Sequence, residues 1–393
     1  LRHVVHTQEQ NVEVLVPATQ CLDRICDNAI YCADVMESGV VPDILNALKH
    51  YPENAALVGH VLSMIGKLAA VSPEYLDALK KLGAVDILVA ALDMHPDDER
   101  LNGLGARALK LLAGEADINS AFKVAVGNTM ETANALSKMS SLLLVDENVD
   151  YLIANQGIAW LISALNSALP EHSEVASKIL VSGCRALMRM AGDENKIYSI
   201  MQQGGVKLLV AIIEGHLQDE NVVVSALNAL AKMVTRKENA IYIVKSGGVR
   251  AAVAALAAHP HSERVAKAGL ELLQKVAAHE DCVAPLVEAG VIPAVLATLA
   301  NHGKNPALAK AVITTLGRMA LSGDILSKMA DAGMLQQLIT LLNDNKDNVD
   351  VAKQTILLLE TAALLPSNIA ALRSLGAMDA ILGAMEANPT DAE

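Results

Sequence analysis

The residue types that most often carry chemistry are all present in this chain, but their spacing assembles no reaction. Its eleven histidines include no HExxH pair and no Cys/His cluster, and a zinc site needs such a set at ligand spacing. His259 and His261 share a loop where a metal could touch them, yet two imidazoles on a polar loop are ordinarily solvated. Cys21, Cys26, Cys32, Cys184 and Cys282 form an odd set without a CxxC pair, which points to reduced, buried thiols and a reducing, cytoplasmic compartment. No Walker loop occurs, and Gly103 and Gly105 fall inside a helical pattern rather than after a strand, so no phosphate cradle is indicated. No strained nucleophile turn marks a serine. Tyr31, Tyr75, Tyr151, Tyr198 and Tyr242 each precede a recurring glycine by five to eight residues, a position that reads as helix packing and not as a stacking platform for bases. The expectation is a protein with no catalytic residue, cofactor, metal or small-molecule substrate.

One column does carry a consistent chemistry. It consists of Arg24, Lys67, Lys110, Lys138, Arg189, Lys232, Lys275 and Arg318, and the steps within 24–67–110 and within 189–232–275–318 are 43 residues each. Lys and Arg together are 31 of 393 residues, so eight basic residues in one column would seldom arise by chance. Each cation stands one residue before an apolar column, Ile25, Leu68, Leu111, Met139, Met190, Met233, Val276 and Met319. A second apolar column lies two residues ahead of the cations, from Leu22 and Ile65 to Leu316. At 100° per residue the basic position lies roughly 130° from the middle of that apolar face, which predicts side chains pointing to solvent. Thr361 breaks the series in the last copy.

The elements that position this column repeat along almost the whole chain. Gly39, Gly83, Gly157, Gly205, Gly248, Gly290, Gly333 and Gly376 recur in segments such as ESGVV, QGGVK and EAGVI, and from Gly205 onward they lie 43, 42, 43 and 43 residues apart. Each follows a short amphipathic stretch and precedes an apolar-periodic one, so each can end one helix in the left-handed conformation and let the next begin. Around Gly248 the pattern predicts a first helix over 239–246, a second over 249–258, a polar loop over 259–263 and a third helix over 264–278. The connecting loops YPEN, HPDD and HPHSE carry the expected Pro, Asp, Asn and His.

A three-helix unit of about 42 residues with a GG/AG-V turn and an A-L-x-x-L-A third helix resembles the armadillo repeat. The resemblance covers essentially the full chain. It implies an all-α, right-handed α-solenoid superhelix of about nine three-helix armadillo repeats, with HEAT repeats, which lack the short first helix, as the nearest alternative. It also implies that the third helices line a concave groove. In the family that groove commonly carries asparagines that hold an extended peptide, and here cations replace them. The tryptophans of the importin-alpha branch are missing as well, since Ser63, Arg185, Asn228, Glu271 and Thr314 stand four residues before the cations. A cation-lined groove is similar instead to the beta-catenin style, in which an acidic extended segment lies along the stack. The other reading of the column is a solvated helix face whose cations neutralise nearby acids.

The array reads as residues 1–393 throughout: a partial repeat over 1–26, two repeats over 27–119, a shortened copy over 120–145, five repeats over 146–365 and a partial one over 366–393. Between Gly83 and Gly157 there are 74 residues where two repeats need about 86, and 121–145 lacks a full second helix. Either the copy is degenerate, or residues are missing from the chain there. Neither end shows the polar outer face of a capping repeat, which suggests a segment of a longer protein.

Composition supports this reading: 52% of residues are hydrophobic but only 2% aromatic, as suits close-packed helices rather than sheets. A net charge of -13 repels nucleic acid and anionic membrane, and no stretch of 18 apolar residues offers a membrane span. The expected function is a non-enzymatic scaffold that binds other proteins through an acidic, extended partner segment. The alternative is a structural component of a large cytoskeletal or axonemal assembly, as in cilia, contacting partners by its ends and convex face.

Overall fold

The computed structural model describes residues 11–388, and among them every regular element is helical. Residues 1–10 and 389–393, part of the two terminal partial repeats, lie outside the described residues. The array, which the sequence presents as one body, divides into two compact units, one through Met190 and one from Ala191.

Unit 1 contains α1 (Val12–Ile25), α2 (Ala29–Glu37), α3 (Val40–His50), α4 (Ala55–Val71), α5 (Pro73–Lys81), α6 (Ala84–Asp93), α7 (Glu99–Leu112), α8 (Glu115–Phe122), α9 (Met130–Leu142), α10 (Asp146–Ala154), α11 (Gly157–Ala168) and α12 (Glu174–Met190). Unit 2 contains α13 (Glu194–Gln202), α14 (Gly205–Gly215), α15 (Glu220–Met233), α16 (Lys237–Lys245), α17 (Gly248–Ala258), α18 (Glu263–Ala277), α19 (Val283–Glu288), α20 (Val291–His302), α21 (Pro306–Met319), α22 (Gly323–Asp331), α23 (Met334–Asp344), α24 (Val349–Ala363), α25 (Pro366–Ser374) and α26 (Ala377–Ala387). Within each unit the helices stack as a helical-repeat solenoid. Third helices pack side by side, α1 on α4 on α7 and α15 on α18 on α21 on α24, and second helices form a parallel layer, α14 through α26. The apolar columns predicted from the spacing form the core of these layers, with Ile65, Leu68, Leu187, Leu230, Leu273 and Leu316 fully buried, except that Ile25 is half-buried and Leu111 is 41% exposed, α7 burying Leu109 and Leu112 at this end instead.

Local sequence explains where the helices start. The polar loops end in N-caps: the side chains of Asn54, Asp98, Ser262 and Asn348 accept the backbone N–H of Leu57, Leu101, Val265 and Val351, which satisfies donors that a third helix leaves unpaired in its first turn. Second helices start from a left-handed residue, and here the expectation needs correction. Gly39, Gly83, Gly290, Gly333 and Gly376 hold that conformation themselves, but beside Gly157, Gly205 and Gly248 it belongs to the preceding Gln156, Gly204 and Gly247. Measured on the left-handed residue, 204, 247, 290, 333 and 376 are evenly 43 apart, and the 42-residue step disappears. Gly205 and Gly248 serve close packing instead. A Cβ there would lie 2.5 and 2.6 Å from the Cγ2 of Ile200 and Ile243.

The shortened repeat is α8 followed by α9, with the segment 123–129 in place of a second helix. As a consequence α9 packs both against α6, as a second helix would, and against α12, as a third helix does. The only Phe and only Trp of the chain meet at this place. The rings of Phe122 and Trp160 are edge-on with centroids 5.8 Å apart, and the Trp160 indole N–H donates to the Val124 carbonyl at 3.3 Å. Large rings fill volume that a missing helix would otherwise leave open.

Candidate protein-binding face

The eight cations of the column lie on α1, α4, α7, α9, α12, α15, α18 and α21, and six of them, all but Lys67 and Lys138, stand in the last turn of their helix. A helix C-terminus carries unpaired carbonyls and partial negative charge, so cations are favoured there. The prediction that every one points to solvent holds for Arg24, Lys110, Lys232 and Arg318, which are exposed; Lys67, Lys138, Arg189 and Lys275 are half-buried. The reason is that the long side chains reach back along the stack. The Lys67 ammonium donates to the Asp23 carbonyl at 2.9 Å, Lys275 to Ala231 at 3.0 Å and Arg318 to Gln274 at 2.6 Å. In each case the acceptor is the residue just before the cation of the previous repeat. The column therefore ties the frayed end of one third helix to the next, with the charged group kept at the edge of the packed layer.

The charges divide into two sets. Four cations hold carboxylates of their own unit: Lys67 pairs with Asp23 at 2.7 Å and Asp27 at 2.6 Å, Lys110 with Glu147 at 2.6 Å, Lys138 with Asp86 at 2.6 Å, and Lys275 with Glu271 at 3.0 Å. Burial works against the charge of Lys67, but the hydrogen bonds and charges of Asp23 and Asp27 outweigh it and raise its pKa above the usual lysine value. The other four, Arg24, Arg189, Lys232 and Arg318, have no carboxylate partner among the described residues. Of these, Lys232 and Arg24 make no side-chain hydrogen bond among the described residues.

Arg189 differs from the rest because the shortened repeat draws α12 toward helices two repeats back. Its guanidinium donates to the Ser140 carbonyl and, at 3.1 Å, to Asn102 Oδ1, while Arg185 one turn earlier pairs with Asp93 at 2.6 Å. Burial, and then the charge of Arg185, push the Arg189 pKa down to about 10. Arg185 occupies the column where the importin-alpha branch has tryptophan, so the difference from that branch extends to an ion pair inside unit 1.

A second ladder escaped the sequence reading. His95 Nε2 hydrogen-bonds the Pro52 carbonyl at 2.8 Å, His259 that of Leu217 at 2.7 Å and His302 that of Pro260 at 3.0 Å. Asn345 and Asn388 donate in the same way to Gly303 at 3.1 Å and Lys346 at 2.6 Å. These residues follow second helices and bind the loop of the preceding repeat. Positions 216, 259, 302, 345 and 388 are 43 apart, so the signal was the period rather than the residue type. His259 is thereby a structural donor and His261 is exposed; among the described residues no group of three or more His, Cys, Asp or Glu is placed to hold a metal.

Two smaller expectations are corrected. Tyr151 does pack, its hydroxyl accepting from Asn119 at 2.7 Å, but Tyr31 and Tyr198 are 51% and 63% exposed on their first helices. Four cysteines are buried free thiols, whereas Cys21 is exposed; burial pushes the Cys184 thiol up to about 12, which disfavours its reactive thiolate form.

The family model described as the GAC ARM domain matches residues 105–392. Two engineered proteins of known structure are similar to 63% of this chain, each with a TM-score of 0.53; one is 21% identical over 96% of its own length and the other 17% identical over 98%. A chain from a structure concerning a phosphorylation switch that controls the interaction between cadherin and beta-catenin is 17% identical, with a TM-score of 0.50, over 92% of this chain and 78% of that one. At such identities these structures speak for the fold alone. No curated protein matches the chain in sequence.

Proposed function

Because the chain belongs to the GAC ARM domain family of armadillo-type helical repeats, we propose that it is a non-enzymatic protein-binding scaffold whose third-helix face holds an extended, acidic segment of a partner. The observation that carries the reading is the row Lys232, Lys275 and Arg318 on the adjacent helices α15, α18 and α21. Only one carboxylate, Glu271, pairs with the three among the described residues. Packed helices lie roughly 8–10 Å apart, and an extended chain advances about 3.3 Å per residue, so a carboxylate at every third position meets one cation per repeat. Each such exposed pair contributes about 0–1 kcal/mol, and binding therefore depends on several acting together. The net charge of -13 makes a local positive row selective: it draws a short acidic segment while the molecule as a whole repels polyanions.

The test is a fluorescence-anisotropy titration with an acidic peptide of about nine residues, matched to the span of the row, and its Gln-for-Glu counterpart, at low and high salt. The reading expects the acidic peptide to bind more tightly and to lose affinity with salt. Equal, salt-independent binding of the two peptides removes it.

A further inference from the structure

Along unit 2 the third-helix face changes character in a regular way. Three columns recur from repeat to repeat: the cations, the residues four before them on the same helix face, and the residues three after them, just past the helix ends. On α15 they read Asn228, Lys232 and Thr235; on α18, Glu271, Lys275 and Ala278. On α21 they become Thr314, Arg318 and Leu321, and on α24 Leu357, Thr361 and Leu364. Leu321, Leu357 and Leu364 are 54%, 52% and 76% exposed. The threonines add no polarity that needs a partner: Thr314 donates to the Lys310 carbonyl at 2.8 Å and Thr361 to Leu357 at 2.9 Å, within their own helices. Arg318 thus shares its repeat and the next with three exposed leucines, and its guanidinium is held by a carbonyl, with no carboxylate partner among the described residues.

A single exposed leucine is ordinary, but three clustered at one end of a cationic row are a recognition pattern. We infer that this face takes an amphipathic extended segment in one register: its carboxylates lie over Lys232, Lys275 and Arg318, and a bulky aliphatic side chain beyond them seats among Leu321, Leu357 and Leu364. The inference rests on the acidic-segment reading and sharpens it. Charge complementarity fixes one end of the occupant and the apolar cluster the other. From α15 to α24 is three repeats, roughly 30 Å at ordinary helix spacing, which about nine extended residues span. The leucine cluster also supplies what the exposed ion pairs lack, since burying an aliphatic side chain outweighs any one of them.

The experiment uses the chain as it stands and three labelled peptides. The first carries Glu at every third position and a Leu about nine residues from the first Glu, the second has Ala for that Leu, and the third has Gln for every Glu but keeps the Leu. Each is made in both chain directions, because the face does not specify one. The wild-type chain should bind the Leu peptide about tenfold more tightly than the Ala peptide in one of the two directions, a difference of about 1.4 kcal/mol. Leu321→Ser with Leu364→Ser, both exposed, should abolish that preference while leaving the Ala-peptide affinity unchanged; a circular-dichroism melt shows whether the double variant is folded, and Leu357→Ser serves if it is not. Equal binding of Leu and Ala peptides in both directions overturns this inference and leaves the acidic reading in place. If the Gln peptide binds as tightly as the Glu peptide, the acidic reading itself falls, and this register with it.

Discussion

Replacing Lys67 with Met removes the most heavily engaged member of the basic column, and the consequence can be worked out from its contacts. The ammonium pairs with Asp27, which is 65% exposed, and with Asp23, which is 13% exposed, and donates to the Asp23 carbonyl. The Asp27 pair is of the surface kind, at about 0–1 kcal/mol. Leaving Asp23 without its cation approaches the buried case, where breaking a pair costs about 3–5 kcal/mol, but His60 at 3.4 Å still faces it. A loss of about 2 kcal/mol for unit 1 follows, read by urea unfolding on far-ultraviolet circular dichroism. The pH dependence is the sharper part. Burial alone would raise the Asp23 pKa, but hydrogen bonds from Lys67 and Ser63, the Lys67 charge and His60 together hold it below its ordinary 3.8. A depressed carboxyl pKa contributes stability that is present above the unfolded value and lost as pH falls through the folded one. In Lys67→Met the carboxyl moves up, so the deficit should be largest near neutrality and shrink as the medium becomes more acid than about pH 4. Lys67 itself, raised above 10.5, adds stability that is complete below that value and fades as pH rises through its folded pKa. A deficit below about 0.5 kcal/mol at neutral pH, or one of the same size in acid, refutes the claim that this cation is structural.

Other perturbations separate the remaining devices. Gly290→Ala meets open space but a φ of +79°, and should cost about 1–2 kcal/mol from backbone strain alone, with Gly290→Asn milder; Gly248→Ala meets Ile243 instead, and a double-mutant cycle should show Ile243→Leu, which lacks the β-branch methyl, relieving Gly248→Ala but not Gly290→Ala. His302→Ala should cost about 1 kcal/mol by leaving the Pro260 carbonyl unpaired, while His302→Asn, the residue found one repeat later at Asn345, should recover most of it in the same unfolding assay. Trp160→Ala should destabilise unit 1 by about 3 kcal/mol, and Trp160→Phe by less, because the half-buried ring packs edge-on against Phe122 and its indole N–H holds the Val124 carbonyl of the shortened repeat.

What could be read in advance was whatever depends on a single helix or a single period. The apolar columns, the polar N-caps and the glycine turns are local, and the structure follows the spacing apart from the exposed Leu111 and the one-residue shift of the left-handed position beside Gly157, Gly205 and Gly248. The surroundings of the cations were not legible. A helical wheel gives the angle of Lys67 about its own axis, but its acceptor, the Asp23 carbonyl, lies 44 residues away on another helix. The same holds for Arg189, whose contacts with Asn102 and Ser140 exist only because one repeat lacks its second helix. The ladder of His259, His302, Asn345 and Asn388 was present as a 43-residue period, but histidines prompt a search for metals and asparagines a search for loops. A change of residue type within one column hid a shared role. The exposed leucines at 321, 357 and 364 occupy no apolar period of their own helices, and their meaning came only from comparing equivalent positions across repeats.

The account rests on a division of labour, in which Lys67, Lys110 and Lys138, each held by carboxylates, stabilise the stack of unit 1, and Lys232, Lys275 and Arg318, which share one carboxylate among the described residues, face a partner. The most direct measurement is the salt dependence of acidic-peptide binding to the wild-type chain and to Lys232→Met, the exposed cation of unit 2 that has no carboxylate or hydrogen-bond partner among the described residues. Loss of affinity by about two- to fivefold at low salt, a shallower salt slope and an unchanged unfolding midpoint are the predicted result. Undiminished affinity, or a loss that appears only together with lowered stability, contradicts the account.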